Sequence, residues 1–216
     1  MPIFQFEIDS IQIYENGFVE EEGSKNFISF KLDYPTDGIV SLETIKKVGL
    51  RDKSTTSFKK KRLTDKLLFK QTVLGDAELS VQITAQMKQS SFLKTLKDLV
   101  AAGAIAATSL ITGGAGLTVL AAASKQAVTS VFDMIKVKDK YVMIGEAYIA
   151  LNAHEMPSKI ELFPKLKKQV ILKRKKRSKG KVTFTKHTLK KNLVNAKIVI
   201  SIKDLSSMTQ SNDHFV

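Results

Sequence analysis

Residues 195–205 read NAKIVISIKDL, and they carry the clearest fold signal in the chain. Apolar side chains occupy every second position from Ala196 through Ile198 and Ile200 to Ile202. A period of two residues places successive side chains on opposite faces of an extended strand. The stretch therefore predicts a strand with one face buried in a core.

The same alternation recurs along most of the chain, and short polar turn sequences separate the runs. Asn16-Gly17 and Gly75-Asp76 lie between alternating runs and predict two-residue hairpin turns. Turn chemistry also follows Tyr34 in YPTDG and occurs at residues 178–180. At least eight strand candidates of this kind predict a mainly β fold, an antiparallel β-sandwich.

One long segment breaks the pattern. Residues 99–124 contain no charged residue, although 26% of the chain is charged. Apolar positions at helical spacing predict helices over 90–112 and 117–138, with GGAG between them. The sequence thus predicts a helical hairpin inserted over 90–138 in a single domain of residues 1–205, followed by a mobile tail at 206–216.

The small and apolar residues of this segment leave three interpretations open. The hairpin packs on the sandwich or against another subunit, it inserts into a membrane when the protein binds, or it is a permanent membrane anchor. The residues predicted to make the membrane or subunit contact are Leu99, Gly103, Ile105, Leu110, Ile111, Leu117 and Leu120.

A family resemblance rests on two stretches. KKKRLTDKLLFKQTVLGDAELSVQITAQ (59–86) followed by IGEAYIALNA (144–153) resembles the strand pattern of a C2 domain. The resemblance implies an eight-stranded sandwich and a role at a membrane surface. Calcium-dependent C2 domains cluster aspartates on two loops, whereas the loop acids here are scattered, so we expect no calcium site.

The charge is unevenly distributed. Residues 157–216 hold 16 Lys/Arg and three acids, a net +13 of the total +14. Such asymmetry indicates an anionic partner, either lipid headgroups, nucleic acid or an acidic protein face. The residues predicted to bind it are Lys173, Arg174, Lys175, Lys176, Arg177, Lys179 and Lys181, assisted by Lys59, Lys60, Lys61 and Arg62 if the two loops converge.

Single-strand nucleic-acid binding needs aromatics among the basic residues, and only Phe184 lies near, which favours lipid or an acidic protein over nucleic acid. Membrane lipid is the preferred partner. The alternatives are a structural or assembly protein whose hairpin packs between subunits and whose basic hairpin docks an acidic partner, and a nucleic-acid-binding protein.

No catalytic motif is present. The three histidines are isolated in sequence, and neither a nucleophile elbow nor a phosphate-binding loop occurs. We therefore expect a non-enzymatic protein without a cofactor. The absence of cysteine and of a signal-peptide pattern predicts a cytoplasmic protein, peripheral to a membrane if it binds lipid.

Overall fold

The computed structural model describes residues 2–17, 24–35, 39–88, 94, 98, 107–113, 116–121, 142–178 and 181–206. This part of the chain is mainly antiparallel β-structure, as the alternation predicts. Its strands are β1 (Ile3–Ile13), β2 (Ser24–Pro35), β3 (Ile39–Val48), β4 (Ser54–Ser57), β5 (Leu67–Thr72), β6 (Asp76–Thr84), β7 (Met87–Lys88), β8 (Ala107–Gly113), β9 (Gly116–Ala121), β10 (Met143–Asn152), β11 (Lys159–Leu162), β12 (Val170–Ser178), β13 (Lys181–Leu189) and β14 (Ala196–Asp204).

Strand β1 is central to a five-stranded sheet with the order β11-β14-β1-β4. On the side of β1 away from β14, two strands pair with different parts of it: β4 with residues 10–13 and β5 with residues 3–7. The short helix α1 (Leu63–Lys66) joins these two partners. The basic segment between β4 and β5 therefore lies beside the middle of β1.

The inward faces of β1 and β14 follow the predicted alternation. Ala196, Ile198 and Ile200 are fully buried. In β1, the buried positions change from even-numbered residues, Phe6 and Ile8, to odd-numbered residues, Ile11 and Ile13. The pairing with β14 shifts register between Ile8 and Ser10, where one extra residue forms a bulge that keeps both apolar sets inward.

A seven-stranded sheet has the order β10-β6-β2-β3-β9-β8, with β7 also paired to β2. One hydrophobic cluster contains residues of this sheet, of the five-stranded sheet, and of β12 and β13. The amide of the buried Asn195 also joins separate elements, since its Nδ2 donates to the carbonyls of Glu15 and Ile144 at 2.9 Å. The two sheets therefore share a single core.

The two hairpins predicted at Asn16-Gly17 and Gly75-Asp76 are wrong. Strands β1 and β5 belong to the five-stranded sheet, whereas β2 and β6 belong to the seven-stranded sheet. Asn16 is buried, and its Nδ2 donates to the Leu50 carbonyl at 2.8 Å instead of presenting a solvent-exposed turn. The turn signals at YPTDG and at 178–180 do join paired strands, β2 to β3 and β12 to β13.

The prediction of helices over 90–112 and 117–138 is wrong for those residues that the structure describes as strands. Residues 107–113 and 116–121 form β8 and β9, which pair with each other, and β9 pairs with β3. Their β-branched residues favour strands, and the edge of β3 supplies backbone partners that periodicity cannot reveal. Lys94 and Asp98 are helical, and the rest of 90–138 lies outside the described residues.

Candidate anionic-surface interface

The predicted basic hairpin is present as a separate two-stranded sheet. Strands β12 and β13 pair antiparallel from Val170 opposite Leu189 to Ser178 opposite Lys181. Neither strand joins the two larger sheets. The basic residues from Lys173 to Arg177 all lie on β12 and Lys181 on β13, while Lys179 falls outside the described residues.

This hairpin carries positive charge without any acid. Residues 170–189 contain eight Lys/Arg and neither Asp nor Glu. The register sets Lys173 directly opposite Lys186. Like charges at opposite positions of an antiparallel pair destabilise it. The backbone register therefore sets two basic residues opposite each other in a hairpin whose sequence supplies no acid.

The base of the hairpin is fixed to the body of the protein. Val170, Leu172 and Leu189 are buried in the common core. His187 Nε2 lies 3.4 Å from Glu15 Oε1, just beyond the end of β1. Farther from the base, Thr183 and Thr185 are exposed. The core therefore holds one end of the ladder, and the basic half extends away from it.

The second predicted cluster, Lys59–Arg62, precedes α1. We call residues 59–63 the basic turn. All four basic residues are exposed, and the next residue, Leu63, is 49% exposed. Leu63 is not among the residues predicted from sequence, although it directly follows the four cations.

The basic turn is anchored on both sides. Before it, Phe58 is buried, and its N–H donates to the Asp9 carbonyl at 2.8 Å. After it, Lys66 Nζ lies 2.7 Å from a carboxylate oxygen of Glu7, which is itself buried. The turn therefore presents its cations on a short segment that buried residues hold at each end.

Glu7 is an electrostatic centre of this region. Burial by itself raises the pKa of Glu7, but hydrogen bonds from Lys203, Lys66 and Gln5 outweigh burial and lower that pKa to about 2. Lys203 Nζ lies 2.8 Å from Glu7. Glu7 therefore stays ionised and ties β14 and α1 to β1.

Lys46 supports the turn from the other sheet. This side chain of β3 is 1% exposed, and its Nζ donates to the Thr64 carbonyl at 3.1 Å. Burial lowers the pKa of Lys46 to about 8, against the opposing effect of the Asp65 charge. One ammonium group thus joins the seven-stranded sheet to the segment that carries the basic turn.

The two basic clusters meet β1 at different points. The basic turn begins beside Asp9, and the hairpin base contacts Glu15. Six residues of extended chain span roughly 20 Å. The two clusters are therefore attached at separate points along this strand.

The structure places four of the predicted membrane or subunit contacts in the two strands that end the seven-stranded sheet. Leu110 and Ile111 lie on β8, and Leu117 and Leu120 lie on β9. Leu99, Gly103 and Ile105 fall outside the described residues.

A cleft of about 630 Å³ lies beside β10 and was not predicted from sequence. Its walls include Val81, Tyr148, Ile149, Leu162 and Phe163. Glu146 and Lys167 also line it and form an ion pair at 2.5 Å. No histidine is among its described lining residues, so the cleft offers no recognisable acid–base pair centred on imidazole.

Within the described ranges, no three His, Asp or Glu side chains come together as a potential metal site. The helices of that same part of the chain include none with the length and apolar character needed to cross a membrane. Comparison with protein-family models, with curated proteins and with solved structures finds no significant match to this chain. The C2 resemblance thus remains a prediction.

Proposed function

We propose that this protein is a non-enzymatic binding protein that attaches to an anionic membrane surface through the β12–β13 hairpin. The observation that carries the proposal is the concentration of seven cations and no acid on a ladder that is separate from both main sheets. Clusters of this size attract anionic lipid surfaces by about 1 kcal/mol per basic residue near the headgroups.

We also propose how the two sheets are arranged. The two sheets, which share one hydrophobic cluster, pack face to face as a C2-like β-sandwich. The hairpin base is buried in that cluster, so the sandwich serves as the rigid body from which the cations reach the membrane. The Lys59–Arg62 cluster assists as a second patch on the same body.

Vesicle co-sedimentation tests the function. We expect binding to vesicles that contain phosphatidylserine at low salt, weakening as salt screens the charges, and no binding to phosphatidylcholine alone. Lys175→Gln with Lys176→Gln should weaken binding about 25-fold, since each lysine contributes about 1 kcal/mol. The matched control is Lys70→Gln with Lys159→Gln, which removes the same charge from exposed positions on β5 and β11.

Two results would contradict the proposal. One is no binding of the unmodified protein to phosphatidylserine vesicles at low salt. The other is an equal loss of affinity in the control variant, because it would indicate a general effect of net charge and not a hairpin site. Tighter binding to DNA or RNA than to vesicles would favour the nucleic-acid alternative.

Self-assembly is a second candidate function, and the position of β8 favours it. Among the strands that the structure describes, β8 is the last of the seven-stranded sheet, and its sequence ATSLITG carries no charge. Edge strands without charged residues readily pair with another chain. Size-exclusion chromatography with light scattering separates the two functions, because a stable oligomer without lipid supports assembly and a monomer supports the membrane proposal.

A further inference from the structure

The basic turn combines two kinds of exposed side chain. Lys59, Lys60, Lys61 and Arg62 supply four adjacent cations, and Leu63 follows them with 49% of its surface exposed. A single exposed leucine needs no explanation by itself. Beside four cations, however, it matches peripheral membrane contacts, in which basic residues meet headgroups and an apolar residue enters the acyl boundary.

The exposure of Leu63 is not a sign of a loosely attached segment. None of the four residues of α1 is buried, yet three side chains fix the segment around it. Phe58 is buried, Lys66 pairs with Glu7, and the Thr64 carbonyl accepts from Lys46. A held segment loses little conformational freedom on binding, so most of its contact energy remains available for affinity.

Lys46 also locates the turn relative to the uncharged strands. Its side chain reaches Thr64, and its backbone lies opposite Gly116 at the start of β9. Strands β8 and β9 contain no charged residue. The basic turn and the uncharged edge of the seven-stranded sheet therefore both flank β3, whereas the basic hairpin contacts the end of β1.

We infer that the basic turn is a membrane-contact site in its own right, in which Lys59–Arg62 bind anionic lipid headgroups and Leu63 enters the bilayer. This inference rests on the proposed function, which supplies the membrane, but it assigns the penetrating contact to a different loop. Its ligand is an anionic bilayer, because a phosphate-bearing ligand free in solution gives Leu63 no apolar phase to enter.

The chain contains no tryptophan, so one substituted tryptophan reports on its own position. We expect the fluorescence of Leu63→Trp to shift to shorter wavelength on phosphatidylserine vesicles and to be quenched by brominated acyl chains. Leu74→Trp is the matched control, because Leu74 is 46% exposed in the connection from β5 to β6. Its fluorescence should not respond.

Charge variants of the turn complete the test. Lys60→Gln with Lys61→Gln should weaken vesicle affinity about 25-fold, and Leu63→Ser should weaken it without altering its salt dependence.

If the protein sediments with vesicles but the fluorescence of Leu63→Trp remains unshifted and unquenched, the inference is overturned while the proposed function stands. If the turn variants abolish binding and the hairpin variants do not, the inference holds and the hairpin proposal fails. No vesicle binding at all overturns both.

Discussion

At the residue scale, a few buried polar side chains determine how the elements join. Glu7 accepts from Lys203 and Lys66, and Asn195 donates to two backbone carbonyls on separate elements. These residues do not stand out in the sequence, because Glu7 falls at an outward position of the predicted strand. Most of their partners are distant in the chain: Lys203 lies 196 positions from Glu7, and Ile144 lies 51 positions from Asn195.

We expect Glu7→Gln to lower the free energy of unfolding at pH 7 by on the order of 1–3 kcal/mol, since a buried charged partner of two lysines is lost. The folded pKa of about 2 lies below the ordinary value of 4.5. The contribution of the Glu7 carboxylate to the free energy of unfolding is therefore complete above about pH 5, and it disappears as the pH falls towards 2.

Denaturant unfolding from pH 2 to pH 7 measures this difference. The unfolding free energies of the two proteins should diverge as the pH rises from 2 to 5. Glu155→Gln is the control, because Glu155 is exposed in the turn after β10, and the stability profile of this variant should follow that of the unmodified protein. A difference for Glu7→Gln that is constant across the pH range would contradict the assigned cause.

Among the elements, most strands were predictable except β8 and β9, but only two of the four predicted turns join paired strands. The alternation located the strands at the two termini closely, and the turn signals at 34–38 and 178–180 correctly joined paired strands. Gly17 and Gly75 instead precede strands of the other sheet. A glycine with positive φ suits both a hairpin turn and a crossing between sheets, so sequence alone cannot distinguish the two.

These glycines provide a matched pair for a stability prediction. Both have positive φ, +68° at Gly17 and +70° at Gly75. A Cβ at Gly75 meets no atom within 4 Å, whereas at Gly17 it would lie 2.5 Å from the Ala85 Cβ. Gly75→Ala should therefore cost only the left-handed backbone strain, about 1–2 kcal/mol, and Gly17→Ala more than about 3 kcal/mol.

Thermal or denaturant unfolding of the two variants tests the comparison. The crossing after β1 approaches the end of β6 closely, and this approach accounts for the expected difference. Equal losses of stability would mean that Ala85 moves aside easily, and the close approach would then not constrain the crossing.

Across the molecule, the buried ammonium of Lys46 links the seven-stranded sheet to helix α1 at a cost in desolvation. Its folded pKa of about 8 lies below the ordinary 10.5, so the unfolded chain binds more protons between these values. Stability from this group therefore rises as the pH increases from about 8.

Lys46→Met tests this contribution, because methionine keeps an unbranched side chain of similar length without the charge. We expect its stability at pH 7 to lie within about 1 kcal/mol of the unmodified protein, as loss of the hydrogen bond to Thr64 offsets relief of the buried charge. Between pH 7.5 and 9.5 only the unmodified protein should gain stability from this site. Parallel unfolding profiles across that range would show that the lysine is not desolvated as inferred.

The amino-acid sequence alone predicts the mainly β character of the described chain, most strand positions, the inward faces of β1 and β14, and the concentration of charge after residue 156. These properties depend on local alternation and on composition. Tertiary structure decided that Asn16-Gly17 and Gly75-Asp76 cross between sheets, that 107–113 and 116–121 are strands, and that the two basic clusters meet β1 at separate points. Each of these outcomes depends on backbone partners and buried contacts distant in the chain, which local periodicity does not encode.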